Sequence, residues 1–115
     1  MTGRILVVDD DRAMVRTLCD IFRLRGWDAC GVHSGEEALE AQRESHYPVV
    51  LMDIKMSGIS GVAAFKQMKA EDPDLRCVLM TAEGEMGVIA DAERVGALNV
   101  VRKPIDLAAL LLQLG

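Results

Sequence analysis

Residues 4–14 read RILVVDDDRAM, and this stretch decides the fold. Four consecutive apolar residues, Ile5 to Val8, run directly into Asp9, Asp10 and Asp11. The run is too short for a helix and apolar on both faces, the pattern of a strand buried on both sides. Like charges crowded together repel and shift each other's pKa. Three carboxylates where a buried segment ends therefore call for a positive partner, for a helix to cap, or for both.

Working outward, the same alternation repeats. Met14, Leu18, Ile21 and Phe22 recur at helical spacing, and Gly26 stops that helix. Asp28–Val32 is a weaker strand. Ser34-Gly35-Glu36-Glu37 has the form of a capping box opening a helix that runs to about Glu44. After Pro48, Val49–Met52 is another apolar strand, ending at Asp53. The loop Lys55-Met56-Ser57-Gly58-Ile59-Ser60-Gly61 follows, and Val62, Phe65 and Met68 then continue at helical spacing to the Glu71-Asp72-Pro73 break. Cys77–Met80 is a fourth strand ending at Thr81. Glu85–Val95 reads as a helix stopped by Gly96, and Leu98–Val101 as a fifth strand leading into Arg102-Lys103-Pro104. Leu107, Leu110, Leu111 and Leu114 outline a last helix.

Strands separated by helices predict an α/β domain, with one parallel sheet covered on both faces. Right-handed crossovers leave few topologies. The flavodoxin-like, doubly wound order 2-1-3-4-5, with five strands and five helices, is the expected one, and residues 1–115 are expected to form one domain. On that order strands 1 and 3 are neighbours at the switch point, where ligands bind beyond the carboxyl ends of the strands. Asp9, Asp10 and Asp53 all fall there.

Composition narrows the function. The chain carries 13 basic and 18 acidic residues, a net charge of −5, which argues against direct nucleic-acid binding. No apolar stretch is long enough to span a bilayer. No secretory signal is visible, because charge begins at Arg4, so a cytoplasmic location is expected. Cys19, Cys30 and Cys77 are isolated and read as reduced, buried thiols. His33 and His46 read as ordinary polar positions away from the motif edge, and Met14, Met52, Met68 and Met80 as core filler.

Three carboxylates from two adjacent strands suit a hard divalent cation, and carboxylate with carbonyl oxygens suits magnesium. At the same edge strand 4 delivers the Thr81 hydroxyl and strand 5 the Lys103 ammonium. Acids, metal, hydroxyl and ammonium together fit phosphoryl transfer, in which positioning and charge stabilisation carry the chemistry.

The ordered set VVDD (7–10), LMDIKM (51–56), LMTA (79–82) and VRKP (101–104) resembles the receiver domain of bacterial two-component response regulators. The resemblance covers essentially the whole chain. It implies that Asp53 accepts a phosphoryl group from a histidine kinase or phosphotransfer protein, and that Asp9 and Asp10 hold Mg2+ with Asp53. The backbone carbonyl of Lys55 is the implied third protein oxygen, Thr81 the switch hydroxyl, and Lys103 the family's lysine, in a Lys-Pro peptide that is often cis. It further implies a signalling domain that catalyses only its own aspartyl phosphorylation and dephosphorylation and controls an output domain or protein target. Helix 4, strand 5 and the leucines of helix 5 offer a surface for a partner or homodimer. Asp11 is left to cap helix 1. Two positions depart from the family pattern: Ser57 stands where a proline is usual, and Val100 where an aromatic side chain normally swings inward.

Two other classes share parts of this pattern. A flavin carrier would need a Ser/Thr-rich phosphate loop after strand 1, where this chain has acids. A haloacid-dehalogenase-like phosphatase would use the Asp9-x-Asp11 pair but would leave Asp53 unexplained.

Overall fold

A computed structural model describes residues 3–82, Arg94 and 99–114. All five expected strands are present: β1 (Arg4–Val8), β2 (Asp28–Val32), β3 (Val49–Asp53), β4 (Arg76–Thr81) and β5 (Asn99–Arg102). They form one parallel sheet in the order β2-β1-β3-β4-β5, as the sequence leads one to expect. Helices α1 (Arg12–Leu24), α2 (Gly35–Ser45) and α3 (Gly61–Glu71) are described, together with a helix at Leu107–Leu114. The helix expected at Glu85–Val95 lies outside the described residues except for Arg94, which is helical.

The unbroken apolar strands follow from burial on both faces, since successive side chains of a strand point to opposite sides. Ile5, Val7, Leu51, Val78 and Met80 pack with Val15, Leu18 and Phe22 of α1 and with Leu110 and Leu114. Leu6, Val8, Val50, Met52, Cys77 and Leu79 pack on the other face with Ala38 and Leu39 of α2 and Ala64, Phe65 and Met68 of α3. With few aromatic rings, branched aliphatics and methionines fill both layers. Met52, Met68 and Met80 are buried, while Met14 is half-buried at the rim of the α1 layer.

Local chemistry sets the helix ends. The Asp11 side chain accepts a hydrogen bond from the Met14 N–H at 3.1 Å, so it caps α1 as expected. At the other end Gly26 takes φ of 90°, and the Gly26 and Trp27 N–H groups donate to the carbonyls of Arg23 and Phe22. That is the Schellman pattern, and the Trp27 ring meets Phe22 edge-on at 6.0 Å to complete it. The capping box of α2 is modified. Ser34 Oγ accepts from the Glu37 N–H, but the Glu37 carboxylate accepts from His33 rather than from Ser34. The three cysteines are free; Cys19 and Cys77 are buried, whereas Cys30 is only half-buried, a correction to the expectation that all three are interior.

Gly61 fixes how the β3–α3 loop returns to the sheet. Its N–H donates to the Ile54 carbonyl at 2.8 Å. A Cβ at this position would overlap the backbone carbonyl oxygen of Asp53 and stand 2.8 Å from the Ile54 Cα. Only glycine allows α3 to start this close to the end of β3.

Candidate functional site

The carboxyl edge of the sheet gathers the residues that the sequence singles out. Asp9 follows β1, Asp53 ends β3, Thr81 ends β4 and Lys103 follows β5. Backbone bonds beyond the ladders hold these ends in register. The Ile54 N–H donates to the Met80 carbonyl at 2.9 Å, and the Lys103 N–H donates to the Thr81 carbonyl at 2.9 Å. The Lys103–Pro104 peptide is cis.

Asp9, Asp53 and Thr81 are 0%, 4% and 0% exposed, and burial of two acids in particular is unusual and demands partners. Lys103 supplies one. Its Nζ lies 2.8 Å from Asp9 Oδ2 and 3.4 Å from Asp53 Oδ1, so one ammonium bridges both carboxylates. Burial works against the charge on Lys103, but the two acids outweigh it and hold the lysine above its ordinary pKa. For Asp53 an upward shift has the opposite meaning, because it disfavours the charged form. Burial and the neighbouring Asp9 charge push its pKa up to about 6, against the opposing pull of Lys103 and a hydrogen bond from the Lys55 N–H. A single lysine does not neutralise two buried carboxylates.

The shortfall is visible at one atom. Asp9 Oδ1 accepts from the Asp11 N–H at 3.0 Å, whereas the buried Oδ2 has no hydrogen-bond donor among the described residues. Its 2.8 Å contact with Lys103 is an ion contact without hydrogen-bond geometry. Oxygen atoms of Asp9, Asp10 and Asp53 lie within 4.8 Å of one another, with Asp10 exposed to solvent and the other two buried. An underfilled carboxylate oxygen in an all-oxygen cluster open on one side fits a hard divalent cation that keeps some of its waters.

The Thr81 hydroxyl donates to the Ala82 carbonyl at 3.1 Å, at the residue that follows β4. Val100, in β5, is half-buried against the α2–α3 layer. Asp11 is outside the acid cluster and is engaged at the helix cap, which removes the Asp-x-Asp pair that a dehalogenase-like phosphatase would need.

One reading is corrected. His33 does not lie away from the motif edge: its Nδ1 sits 3.3 Å from the Asp9 carbonyl oxygen. The signal was present in the sequence, because His33 directly follows β2, the strand beside β1, and so emerges at the same edge. His46 is remote from the site, at the end of α2, with Nδ1 3.6 Å from Asp72 Oδ2.

Residues 5–114 match the family model of the response regulator receiver domain. This chain belongs to that family. Among curated relatives, the regulatory protein AtoC of Escherichia coli is 38% identical over 108 residues, 94% of this chain and 23% of that protein. The sporulation initiation phosphotransferase F of Bacillus subtilis is 33% identical over 107 residues, 93% of this chain and 86% of that protein. This receiver domain thus spans about a quarter of the first relative but most of the second. Among solved structures, the beryllofluoride-activated NtrC4 receiver domain dimer superposes with a TM-score of 0.89 at 27% identity, covering 96% of this chain and 92% of that one.

Proposed function

We propose that this receiver domain accepts a phosphoryl group on Asp53 from a histidine kinase or phosphotransfer protein and thereby switches an output domain or protein partner. The observation that carries this reading is the Asp9–Lys103–Asp53 cluster, buried and short of positive charge at the carboxyl edge of the sheet. Asp53 is the nucleophile, with one carboxylate oxygen attacking phosphorus while the donor's leaving group departs. Lys103, already bridging Asp53, is placed to meet the negative charge that gathers on the transferred oxygens. Thr81 is the hydroxyl that exchanges its bond to the Ala82 carbonyl for one to the phosphoryl group, and so reports the event to the chain that follows β4.

Asp9, Asp10 and Asp53, with the Lys55 carbonyl, would hold Mg2+. Bound there, the metal neutralises the excess of carboxylate charge and the charge on phosphate oxygens. The domain's own catalysis is confined to forming and hydrolysing its aspartyl phosphate; turnover of external substrates is no part of this reading. We place it in the cytoplasm with its phosphodonor, as one domain over residues 1–115. No helix among the described residues is long and apolar enough to cross a membrane. The dimer recorded for the NtrC4 receiver supports homodimerisation, and the surface we assign to it is the Glu85–Val95 segment, β5 and the Leu107–Leu114 helix.

Incubation with acetyl phosphate and Mg2+, followed by intact-mass analysis, tests the assignment. Wild type gains one phosphoryl group and Asp53→Asn gains none; equal modification of both contradicts it.

A further inference from the structure

The face of α1 that turns away from the Leu107–Leu114 helix carries a charge pattern that phosphoryl acceptance does not use. Arg12, Arg16 and Arg23 of α1, with His33 and Gly31 of the β2 side, line a cavity of about 220 Å3 floored by Val15 and Cys19. Gly31 is part of what makes the floor: a Cβ there would collide with the Val15 side chain. Arg23 is engaged, donating to the Ala29 carbonyl at 2.8 Å and standing 3.5 Å from Asp20. Arg12 and Arg16 are exposed and have no acidic partner among the described residues. Two unpaired guanidiniums are conspicuous on a chain of net charge −5, whose acids outnumber its bases.

We propose that this groove, between α1 and the outer edge of β2, docks an acidic, extended polypeptide segment of a partner protein. Residues 12 and 16 are one helical turn apart, so their side chains emerge about 6 Å from each other along one face. Alternate residues of an extended strand repeat at about 6.6–6.8 Å. Carboxylates at positions i and i+2 of such a strand therefore match Arg12 and Arg16, and each planar guanidinium can take a carboxylate through two parallel bonds. Among the described residues β2 is an edge strand paired only with β1, so a second strand can lie alongside it without displacing any of those pairings. Phosphate polymers and anionic membranes fit less well, because neither offers a peptide backbone that can pair along the edge of β2.

The test uses the whole chain and a fluorescein-labelled peptide of alternating Glu and Thr, read by anisotropy. Wild type binds it, the affinity falls as salt rises, and a Lys-Thr peptide does not bind. The double charge reversal Arg12→Glu with Arg16→Glu weakens binding at least tenfold, while Arg25→Glu, at the C-terminal end of α1 and outside the groove, stays within about twofold. All three proteins unfold cooperatively and stay folded at the assay temperature, because the substituted positions are exposed. Phosphorylation of Asp53 by acetyl phosphate proceeds in each, which keeps this result separate from the site assignment. Absence of Glu-Thr binding by wild type, equal weakening by Arg25→Glu, or equal or tighter Arg12- and Arg16-dependent binding of single-stranded DNA or anionic vesicles would overturn the proposal.

Discussion

Replacing Asp53 by asparagine should stabilise this protein, by an amount that depends on pH. In the folded protein burial and the nearby Asp9 charge raise the Asp53 pKa from its ordinary 3.8 to about 6. A raised carboxyl pKa means that folding favours the neutral acid. Its contribution to stability is therefore complete below about pH 3.8 and is lost as pH climbs through about 6. At about 1.4 kcal/mol per pKa unit, the folded state at pH 7.5 bears an electrostatic cost of about 2–3 kcal/mol that a neutral amide of the same shape escapes. Urea unfolding of wild type and Asp53→Asn between pH 4 and 8, in chelator, measures it. The two proteins should agree within about 0.5 kcal/mol near pH 4, and the variant should be more stable by about 2–3 kcal/mol at pH 7.5. Adding 10 mM Mg2+ should stabilise wild type selectively, by about 1.4 kcal/mol for a dissociation constant of about 1 mM, and so narrow the gap. A difference that does not vary with pH, or a variant less stable than wild type at pH 7.5, would refute the reasoning.

Other residues at the site give separable outcomes. Lys103→Met, which removes the ammonium from Asp9 and Asp53, should slow phosphorylation by acetyl phosphate about a hundredfold while leaving Mg2+ binding detectable by calorimetry. Asp11→Ala should lower stability by about 1 kcal/mol in urea, through the lost α1 cap, with phosphorylation unchanged. Gly61→Ala should cost about 1–3 kcal/mol by the same assay, since its methyl group would have to displace the Asp53 carbonyl or the start of α3.

The sheet order was legible because each strand is short, apolar on both faces and closed by a turn or cap signal. β1 illustrates this best, since Ile5–Val8 has no polar face and ends on acids. Asp9, Asp53, Thr81 and Lys103 were legible as a group because a parallel sheet delivers every strand end to one edge. Other features were not, for identifiable reasons. That one ammonium bridges two carboxylates and leaves Asp9 Oδ2 without a donor depends on side-chain rotamers, which strand order does not determine. His33 was misplaced because its strand, Asp28–Val32, has a weak apolar pattern and its end drew no weight. The groove under Arg12 and Arg16 depends on Gly31 lying beneath Val15, a contact between elements that the linear pattern does not encode.

The central claim is that Asp53, and no other residue at this edge, receives the phosphoryl group. Borohydride reduces an acyl phosphate to the corresponding alcohol, converting a phosphorylated aspartate to homoserine. Treating the acetyl-phosphate-labelled protein in this way and sequencing its peptides by tandem mass spectrometry maps the site directly. Homoserine is expected at position 53 alone, formed only when Mg2+ is present during labelling. Conversion at Asp9 or Asp10, or a borohydride-resistant phosphoryl group on His33 or His46, would contradict it.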